Sequence, residues 1–448
     1  MNYLYHLFRS ENGILWSYDT VSNRLVRLAG LPMESPGVEA YLIGHGFIQP
    51  CPPPSGQVVF RASEEQYARM LDGMCGRLTL ELTQVCNLRC SYCVYSGKFP
   101  GWRAHSTLHM GEEISVKAIG MFEKCSRQRS MVSLDFYGGE ALLRFEQLRA
   151  LTALAREKLS PRGVVVHIGT NGTLLNDEIC RWINDTRDVY LDITLNGESH
   201  DRYRRYADGG PTKRDILNRV AYLFRHYPAA AERVNFICNA YSGREMEALC
   251  DFYDAMEVAP ALITDIEPPP GGREFPPAGE EDIRAEARMR RKYLETESPF
   301  LRALYEPGLL RIHHRPAARL DGVVRLEGTC LPLLSNLFVS AEGDLRVCEK
   351  MADPSLGDVW SGIDFEAAAA MMRAYASVLG ERCGNCWARR LCSVCYRSVH
   401  AGEGGPGQAV CRSMRESVAA DLALYAGVCE SAPDRLARFD LAEPSTIL

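Results

Sequence analysis

The spacing of apolar positions changes several times along the chain. Over residues 1–75, short alternating runs at Tyr3–Phe8, Ile14–Tyr18 and Leu25–Leu28 are broken by Glu11-Asn12-Gly13 and Ser22-Asn23. That pattern predicts small strands and hairpins. A short helix is predicted near Pro36–Gly44, then a break at Pro52-Pro53-Pro54-Ser55-Gly56. A second helix is predicted over Ser63–Asp72, opening with a Ser63–Gln66 capping box. From Arg77 the chain alternates strand and helix. Strands are predicted at Arg77–Thr83, Met131–Tyr137, Val164–Thr170, Val189–Thr194, Arg233–Asn239 and Ala261–Asp265. Amphipathic stretches such as Gly111–Ser126, Phe145–Leu159, Asp177–Thr186 and Lys213–His226 lie between them. This order predicts βαβ units on a parallel sheet. Six units are too few for a closed eight-stranded barrel, so a partial one is expected, with its chemistry at the C-terminal strand ends. Residues 267–292 begin with Glu267-Pro268-Pro269-Pro270-Gly271-Gly272 and turn highly charged, reading as a linker into an exposed helix. Beyond Cys330, strand-like pieces at Leu337–Ser340 and Leu345–Val347 alternate with Cys and Gly, and no repeat of fixed period appears. Four segments follow: 1–75, 76–290, a bridging 291–328, and 329–448.

Composition narrows the class. With 448 residues, 46% of them apolar and 24% charged, the chain reads as two or three globular domains and not as a disordered, collagenous or coiled-coil protein. The formal charge of −6 argues against a general nucleic-acid or anionic-membrane surface. Neither a signal-peptide pattern nor an apolar run of about 18 residues is seen, so a cytoplasmic location is expected. The 17 cysteines are out of line with this ordinary picture. An odd number in a chain of this size does not read as a disulfide framework. In a reduced compartment, clustered thiols point to metal or redox chemistry.

The cysteines fall into two groups and a scatter. Cys51, Cys75, Cys125, Cys180, Cys238, Cys250 and Cys429 are dispersed and are expected to pack as small apolar residues. The first group is Cys86-x3-Cys90-x2-Cys93, just after the first predicted barrel strand. A four-iron cubane takes four ligands, usually thiolates, so three leave one iron open to a non-protein ligand. A structural zinc site normally needs four ligands, and His105 is the nearest fourth. Phe136-Tyr137-Gly138-Gly139-Glu140 ends the second strand; its two glycines allow close backbone approach to a ligand, and its carboxylate suits an ammonium group.

Cys86-Asn87-Leu88-Arg89-Cys90-Ser91-Tyr92-Cys93 resembles the cluster loop of radical S-adenosylmethionine (SAM) enzymes, and Gly138-Gly139-Glu140 resembles that family's GGE motif. The resemblance implies that Cys86, Cys90 and Cys93 hold a [4Fe-4S] cluster whose open iron chelates SAM. An electron from the cluster then cleaves SAM to methionine and a 5′-deoxyadenosyl radical, which takes a hydrogen from the substrate. It further implies that Tyr92 contacts the adenine, that Gly138, Gly139 and Glu140 hold the SAM amino group, that Thr194 faces the ribose, and that Arg204 pairs with the SAM carboxylate. Asn239, ending the fifth strand, is a further candidate for the SAM pocket. Peptide-modifying members often read Ser-Leu-Asp-Gly followed by His-Asp-x-x-Arg. Here Thr194-Leu195-Asn196-Gly197 precedes His200-Asp201-Arg202-Tyr203-Arg204, so Thr194 keeps a hydroxyl and Asn196 lacks a charge.

The second group runs Cys330-x12-Gly343-x4-Cys348, then Cys383-x2-Cys386-x5-Cys392-x2-Cys395, then Cys411. It resembles the SPASM extension of radical SAM enzymes that act on peptides, departing in having two residues where the usual pattern has three between Cys392 and Cys395. The resemblance implies two auxiliary [4Fe-4S] clusters, making three in all. Cys383, Cys386, Cys392 and Cys411 hold one completely. Cys330, Cys348 and Cys395 hold the other, one ligand short because the usual extra Cys between the first two is missing. A substrate thiolate is expected to fill that place, with Cys429 the competing ligand.

Residues 1–75 have the length of the small winged-helix-like domain that grips leader peptides in maturases of ribosomally made peptides, by strand addition to a sheet edge. The whole is expected to be α/β, a partial (β/α)6 TIM-like barrel between that domain and a C-terminal Cys-rich iron–sulfur domain. The expected activity is thioether formation between a Cys thiol and a carbon of another residue in a precursor peptide carrying a leader. Short strings at Tyr95-Ser96-Gly97 and Arg103-Ala104-His105-Ser106 loosely resemble maturases of Cys-rich precursors. Flavodoxin or ferredoxin is the expected electron donor, with neither nucleic acid nor membrane as partner. Carbon–carbon (cyclophane) crosslinking and formylglycine formation are alternatives within the class. A Cys-rich zinc or redox adaptor is the non-enzymatic one.

Overall fold

In the computed structural model the alternating runs become strands. The structure describes residues 2–28, 37–51, 63–99, 102–272, 275–316, 332–351, 355–395, 398 and 408–441. The chain forms two compact units, each discontinuous in sequence: residues 62–286 with 331–369, and residues 1–61 with 287–330 and 370–448.

The first of these units is the α/β body. Its strands are β4 (Arg77–Thr83), β5 (Met131–Gly138), β6 (Gly163–Thr170), β7 (Val189–Thr194), β8 (Val234–Ala240) and β9 (Leu262–Asp265), which follow one another in parallel across the sheet. On β5 to β8 every second side chain is fully buried: Leu134 and Phe136, Val166 and Ile168, Leu191 and Ile193, Phe236 and Cys238. Each large apolar side chain so buried contributes about 1.5–3 kcal/mol. The intervening positions carry Ser133, Asp135, Tyr137, His167, Tyr190, Asp192, Thr194, Asn235 and Asn239, and are only partly buried. A polar inner face and an apolar outer face are what a partial barrel wrapped in helices requires.

The helices Phe145–Leu159 and Lys213–His226 match their predicted spans, while those at Glu112–Cys125 and Asp177–Asp185 start or stop within a residue of prediction. Asn176 caps the Asp177 helix by accepting from the Ile179 amide. The helix Glu64–Leu71 forms with both halves of its Ser63–Gln66 capping box. The sheet differs from expectation at one edge. β10 (Leu337–Val339) pairs in parallel with β4, and β11 (Leu345–Arg346) pairs antiparallel with β10, making eight strands. On β4, Leu78, Leu80 and Leu82 are fully buried, so a bare edge there would expose an apolar strand and its unpaired backbone groups.

The other unit carries β1 (Tyr5–Arg9), β2 (Leu15–Asp19) and β3 (Arg24–Arg27) in an antiparallel sheet with β2 central. Every residue of β2 is buried. One face packs Leu7, Leu15 and Val26 with the helix Val38–Gly44 through Val38 and Leu42, joined by Leu28 and Ile48. The other face carries His6, Phe8, Trp16 and Tyr18. Trp16 Nε1 donates to Glu430 Oε1 at 2.6 Å, and Ser10 and Asn12 donate to Glu430 Oε2 at 2.9 Å each, so the hairpin is held to the helix Gln408–Ser431. That helix packs on Pro299–His313, where Gly308 leaves room for the Asp421 carboxylate. Among the scattered cysteines, Cys75, Cys180, Cys238 and Cys250 are buried, as expected of packing residues, and Cys51, Cys125 and Cys429 are partly buried.

Candidate functional site

At the C-terminal end of β4, Thr83 Oγ1 accepts from the Val85 amide at 3.0 Å and turns the chain into the cysteine loop. The Leu88 amide donates to Cys86 Sγ at 3.4 Å, and the Cys93 amide to the Cys90 carbonyl at 3.2 Å. Cys90 lies near enough to Cys86 and Cys93 to add to the rise in their pKa values. Burial contributes more, pushing Cys86 up to about 12 and Cys93 to about 11. Thiolates in such a place need cationic neighbours, which the irons of a cluster supply. Among the described residues, no three His, Cys, Asp or Glu side chains gather as ligands of a single metal ion. His105, weighed as a fourth ligand, has Nδ1 3.4 Å from the Gln84 carbonyl.

The end of β5 is pressed against this loop. The Gly139 amide donates to the Thr83 carbonyl at 2.7 Å and the Glu140 amide to the Val85 carbonyl at 2.9 Å. A Cβ on Gly138 would stand 2.2 Å from the Thr83 oxygen, and one on Gly139 would stand 2.1 Å from the Val85 oxygen. Gly138 also has φ +138°, outside the range side chains favour. The sequence suggests that these glycines let the backbone approach a ligand; the close approach seen here is to the backbone that leads into Cys86. Glu140 is 1% exposed. Its carboxylate accepts from Thr170 Oγ1 at 2.7 Å, the Asn171 amide at 2.8 Å and the Leu142 amide at 3.1 Å. Burial raises its pKa, and these donors oppose the rise. Asn171 Nδ2 in turn donates to Asn87 Oδ1 at 2.8 Å, and Asn87 Nδ2 to Thr173 Oγ1 at 2.8 Å, so the loop after β6 is tied to the cysteine loop. From the sequence, Gly169-Thr170-Asn171-Gly172 stands out at the end of the third strand without a partner assigned to Thr170 or Asn171, and Asn87 has no role of its own.

Tyr92 joins the loop to the far strands. Its hydroxyl accepts from Arg204 Nη1 at 3.0 Å, Asn196 Nδ2 at 3.3 Å and Asn239 Nδ2 at 3.4 Å. Arg204 is 7% exposed and its Nε has no hydrogen-bond partner among the described residues, which leaves a buried cationic donor for an anion. Burial alone would lower the Arg204 pKa; the charges of Cys90, Tyr92 and Cys86 outweigh it and raise it. Asn196 Oδ1 accepts from the Asn239 amide at 3.0 Å, so the neutral amide in the Asp position bridges β7 to β8. Thr194 takes the last position on the inner face of β7.

The turn carrying Arg204 hangs on His200. The Asn196 amide donates to Nδ1 at 3.1 Å, which leaves the proton on Nε2, 3.1 Å from Thr212 Oγ1; that hydroxyl donates to the Arg204 carbonyl at 2.9 Å. Burial first, then Arg204, lowers the His200 pKa to about 3, against the weaker pull of Asp201. The unfolded chain binds this proton below about pH 6.5 and the folded one does not, so stability is lost as pH falls through that value, by about 1.4 kcal/mol per unit. Chemical denaturation at pH 7 and pH 5 should show His200→Gln losing about 2 kcal/mol less than the parent over that interval. Equal losses would remove this role.

In the other unit, Cys383, Cys386, Cys392 and Cys411 come together. Charge from the last three adds to burial in pushing Cys383 up to about 12, and Cys386 and Cys411 act likewise on Cys392. The Cys386 amide donates to the Cys383 carbonyl at 3.1 Å, and the Cys392 amide to the Ala388 carbonyl at 2.9 Å. Four converging thiols fit a fully ligated cluster. Burial raises the Cys429 pKa, with Glu430 adding to the rise and Arg315 opposing it. Cys330 lies outside the described residues, and Cys348 and Cys395 belong to different units.

Residues 80–253 match the family model of the radical SAM superfamily. An uncharacterized protein of Methanocaldococcus jannaschii is 30% identical over 159 residues, 35% of this chain and 51% of that protein. The serine-type anaerobic sulfatase-maturating enzyme of Bacteroides thetaiotaomicron is 30% identical over 146 residues, 32% of this chain and 34% of the enzyme. The chain thus spans about half, or less, of the length of these curated relatives. The solved structure of anSMEcpe with bound AdoMet has the same fold, with TM-score 0.61, 18% identity, and 82% of this chain and 98% of that one covered. The same protein with bound AdoMet and Cp18Cys peptide gives TM-score 0.59 at 18% identity, over 81% of this chain and 98% of that one. The match to the radical SAM superfamily thus falls on the stretch that carries most of the parallel sheet, and a cysteine-rich C-terminal region follows it.

Proposed function

We propose that this chain is a radical SAM peptide maturase that joins a Cys thiol to a carbon of another residue in a ribosomally made precursor peptide. The observation that carries the SAM-cleaving part is the convergence of the Cys86, Cys90 and Cys93 loop with Glu140, Tyr92 and Arg204 at the C-terminal ends of the strands. When bound, the cluster on these three thiolates supplies the electron that cleaves SAM. Glu140 offers a carboxylate to the SAM amino group. Arg204 offers a buried guanidinium to the SAM carboxylate, and Tyr92, Thr194, Asn196 and Asn239 line the side toward β7 and β8. The inner face of the sheet is suited to a peptide. His167 Nδ1 stands 3.0 Å from Asp192 Oδ2, and Asn235 Nδ2 donates to Asp192 Oδ1 at 2.8 Å, both within a half-open polar layer. On the same fold, anSMEcpe binds AdoMet and a peptide.

The thioether product rests on ligand count: the second cysteine group is one short of two full sets, which leaves an iron for a substrate thiolate. The edge of β3, with exposed Arg24 and Arg27 and no strand beyond it among the described residues, is the proposed grip for the leader. A second reading, formylglycine formation in a sulfatase, draws on the likeness to the Bacteroides enzyme. Product mass separates the readings. The full chain, reconstituted anaerobically with iron and sulfide and given dithionite, SAM and a Cys-containing precursor peptide, should release 5′-deoxyadenosine. The peptide should lose two hydrogens and one alkylatable thiol, and react much more slowly without its leader. Loss of two hydrogens with every thiol retained would point to a carbon–carbon link or, where the peptide then carries an aldehyde that a hydrazide probe labels, to oxidation of a Ser to formylglycine. A chain that holds zinc and leaves SAM intact would overturn the enzyme reading.

A further inference from the structure

Resting on the assignment of Cys383, Cys386, Cys392 and Cys411 to one cluster, we propose that the N-terminal sheet is a wall of that cluster's site, holding its ligand loop through Trp387. The sheet and the loop lie in the same compact unit, although more than 360 residues separate them in sequence. Trp387 directly follows Cys386. The His6 ring on β1 lies flat on the Trp387 indole, with centroids 3.9 Å apart and planes 6° apart. Just past β2, Thr20 Oγ1 donates to the Trp387 carbonyl at 2.6 Å. Arg390 Nη1 reaches back to the Thr20 and Val21 carbonyls at 3.4 Å each, and Asn2 Nδ2 donates to Asn385 Oδ1 at 3.2 Å. Backbone and side chains on both sides of Cys386 are thus held by residues 2–21.

The hairpin sequence explains why the sheet seeks this partner. An isolated hairpin buries one face; this one carries large apolar or aromatic side chains on both, Leu7 and Leu15 on one and Phe8, Trp16 and Tyr18 on the other. The helix Val38–Gly44 covers the first face, and the second needs a cover from elsewhere in the chain. Groups that hydrogen-bond to and pack on metal ligands fix their geometry, and losing one typically costs about 10–100-fold in metal affinity. A stacked pair of this kind adds about 0.5–1.5 kcal/mol beyond its area. Trp387, His6 and Thr20 are therefore positioning residues: they set where the Cys386 thiolate stands. The same sheet is the proposed leader grip, so truncating the N-terminus would remove a wall of the cluster site along with it.

The test uses the full chain, reconstituted anaerobically, with iron and sulfide content and the EPR spectrum of the dithionite-reduced protein as readouts. Trp387→Ala and the isosteric Thr20→Val should each lower the retained iron after desalting, toward a loss of about four irons per chain, and diminish or shift one set of EPR signals. Trp387→Phe, which keeps an aromatic on His6, should restore both. Thr20→Val loses a hydroxyl and little volume, so it reports on the contact even if Trp387→Ala folds poorly. Iron content and spectra unchanged in both Trp387→Ala and Thr20→Val, alongside a clear loss in Cys386→Ala, would overturn the inference alone. An unchanged iron content in Cys386→Ala would overturn the cluster assignment, and the inference with it.

Discussion

Gly139→Ala is expected to abolish the SAM-cleaving cluster while the rest of the chain still folds. The added methyl would stand 2.1 Å from the Val85 oxygen, 2.4 Å from its carbonyl carbon and 2.9 Å from the Cys86 nitrogen. All three atoms are backbone, so no side chain can rotate away to make room. Either β5 withdraws from β4, breaking the 2.7 Å bond from the Gly139 amide to Thr83, or the peptide entering Cys86 moves. Overpacking of this kind costs about 1–3 kcal/mol. The functional effect should be larger, because a shift of about 1 Å in reacting groups can cost about 100-fold in rate. Iron content should fall by about four per chain, and 5′-deoxyadenosine release at least about 100-fold. Gly120→Ala is the matched control: its Cβ meets nothing within 4 Å on the helix Glu112–Cys125, and Ala there should be neutral or stabilising by up to about 1 kcal/mol. Full iron content in Gly139→Ala would show that the loop does not depend on this packing.

Glu140→Gln should separate SAM binding from cluster assembly. The carboxylate accepts on both oxygens, from Thr170 and Leu142 on one and the Asn171 amide on the other. A glutamine places an NH2 against one of these donors in a residue 1% exposed to solvent, leaving a buried donor unpaired at a cost of about 1–3 kcal/mol. It also removes the charge proposed to meet the SAM ammonium, and charge-assisted bonds of that kind are worth about 1.5–3 kcal/mol. The two losses predict SAM binding weaker by about 10–100-fold with iron content near that of the parent, measured anaerobically by equilibrium dialysis. A dissociation constant within twofold of the parent would assign Glu140 to holding the β6 loop and nothing more.

The strands and glycines of the barrel were legible because their signals are local. Period-two alternation marks β5 to β8, and the Ser63–Gln66 capping box marks the start of the helix Glu64–Leu71. The role of Gly138 and Gly139 was half legible. Two glycines announce a close approach; only the neighbouring strand shows that the partner is the peptide chain before Cys86. The His200–Thr212–Arg204 chain was not legible, since a histidine in a polar stretch looks like any solvated one until burial forces it to be neutral. The placement of Leu337–Val339 beside β4 was equally hidden, because a three-residue strand carries no record of a partner about 260 residues away.

By itself the sequence determined the chemistry on offer: thiolates at fixed short spacings, a carboxylate at a strand end, and six strand–helix units to carry them. Ligand spacing within a loop and hydrophobic period within an element are short-range properties, set by bond geometry over a few residues. The tertiary structure alone decided which distant groups meet. It set the glycine turn of β5 against the cysteine loop, brought Arg204 to Tyr92, and laid an N-terminal hairpin on Trp387 beside Cys386. Those meetings depend on apolar faces finding cover, and water exclusion favours any apolar partner that fits. The composition of a face says that it must be buried, and only the folded chain says against what.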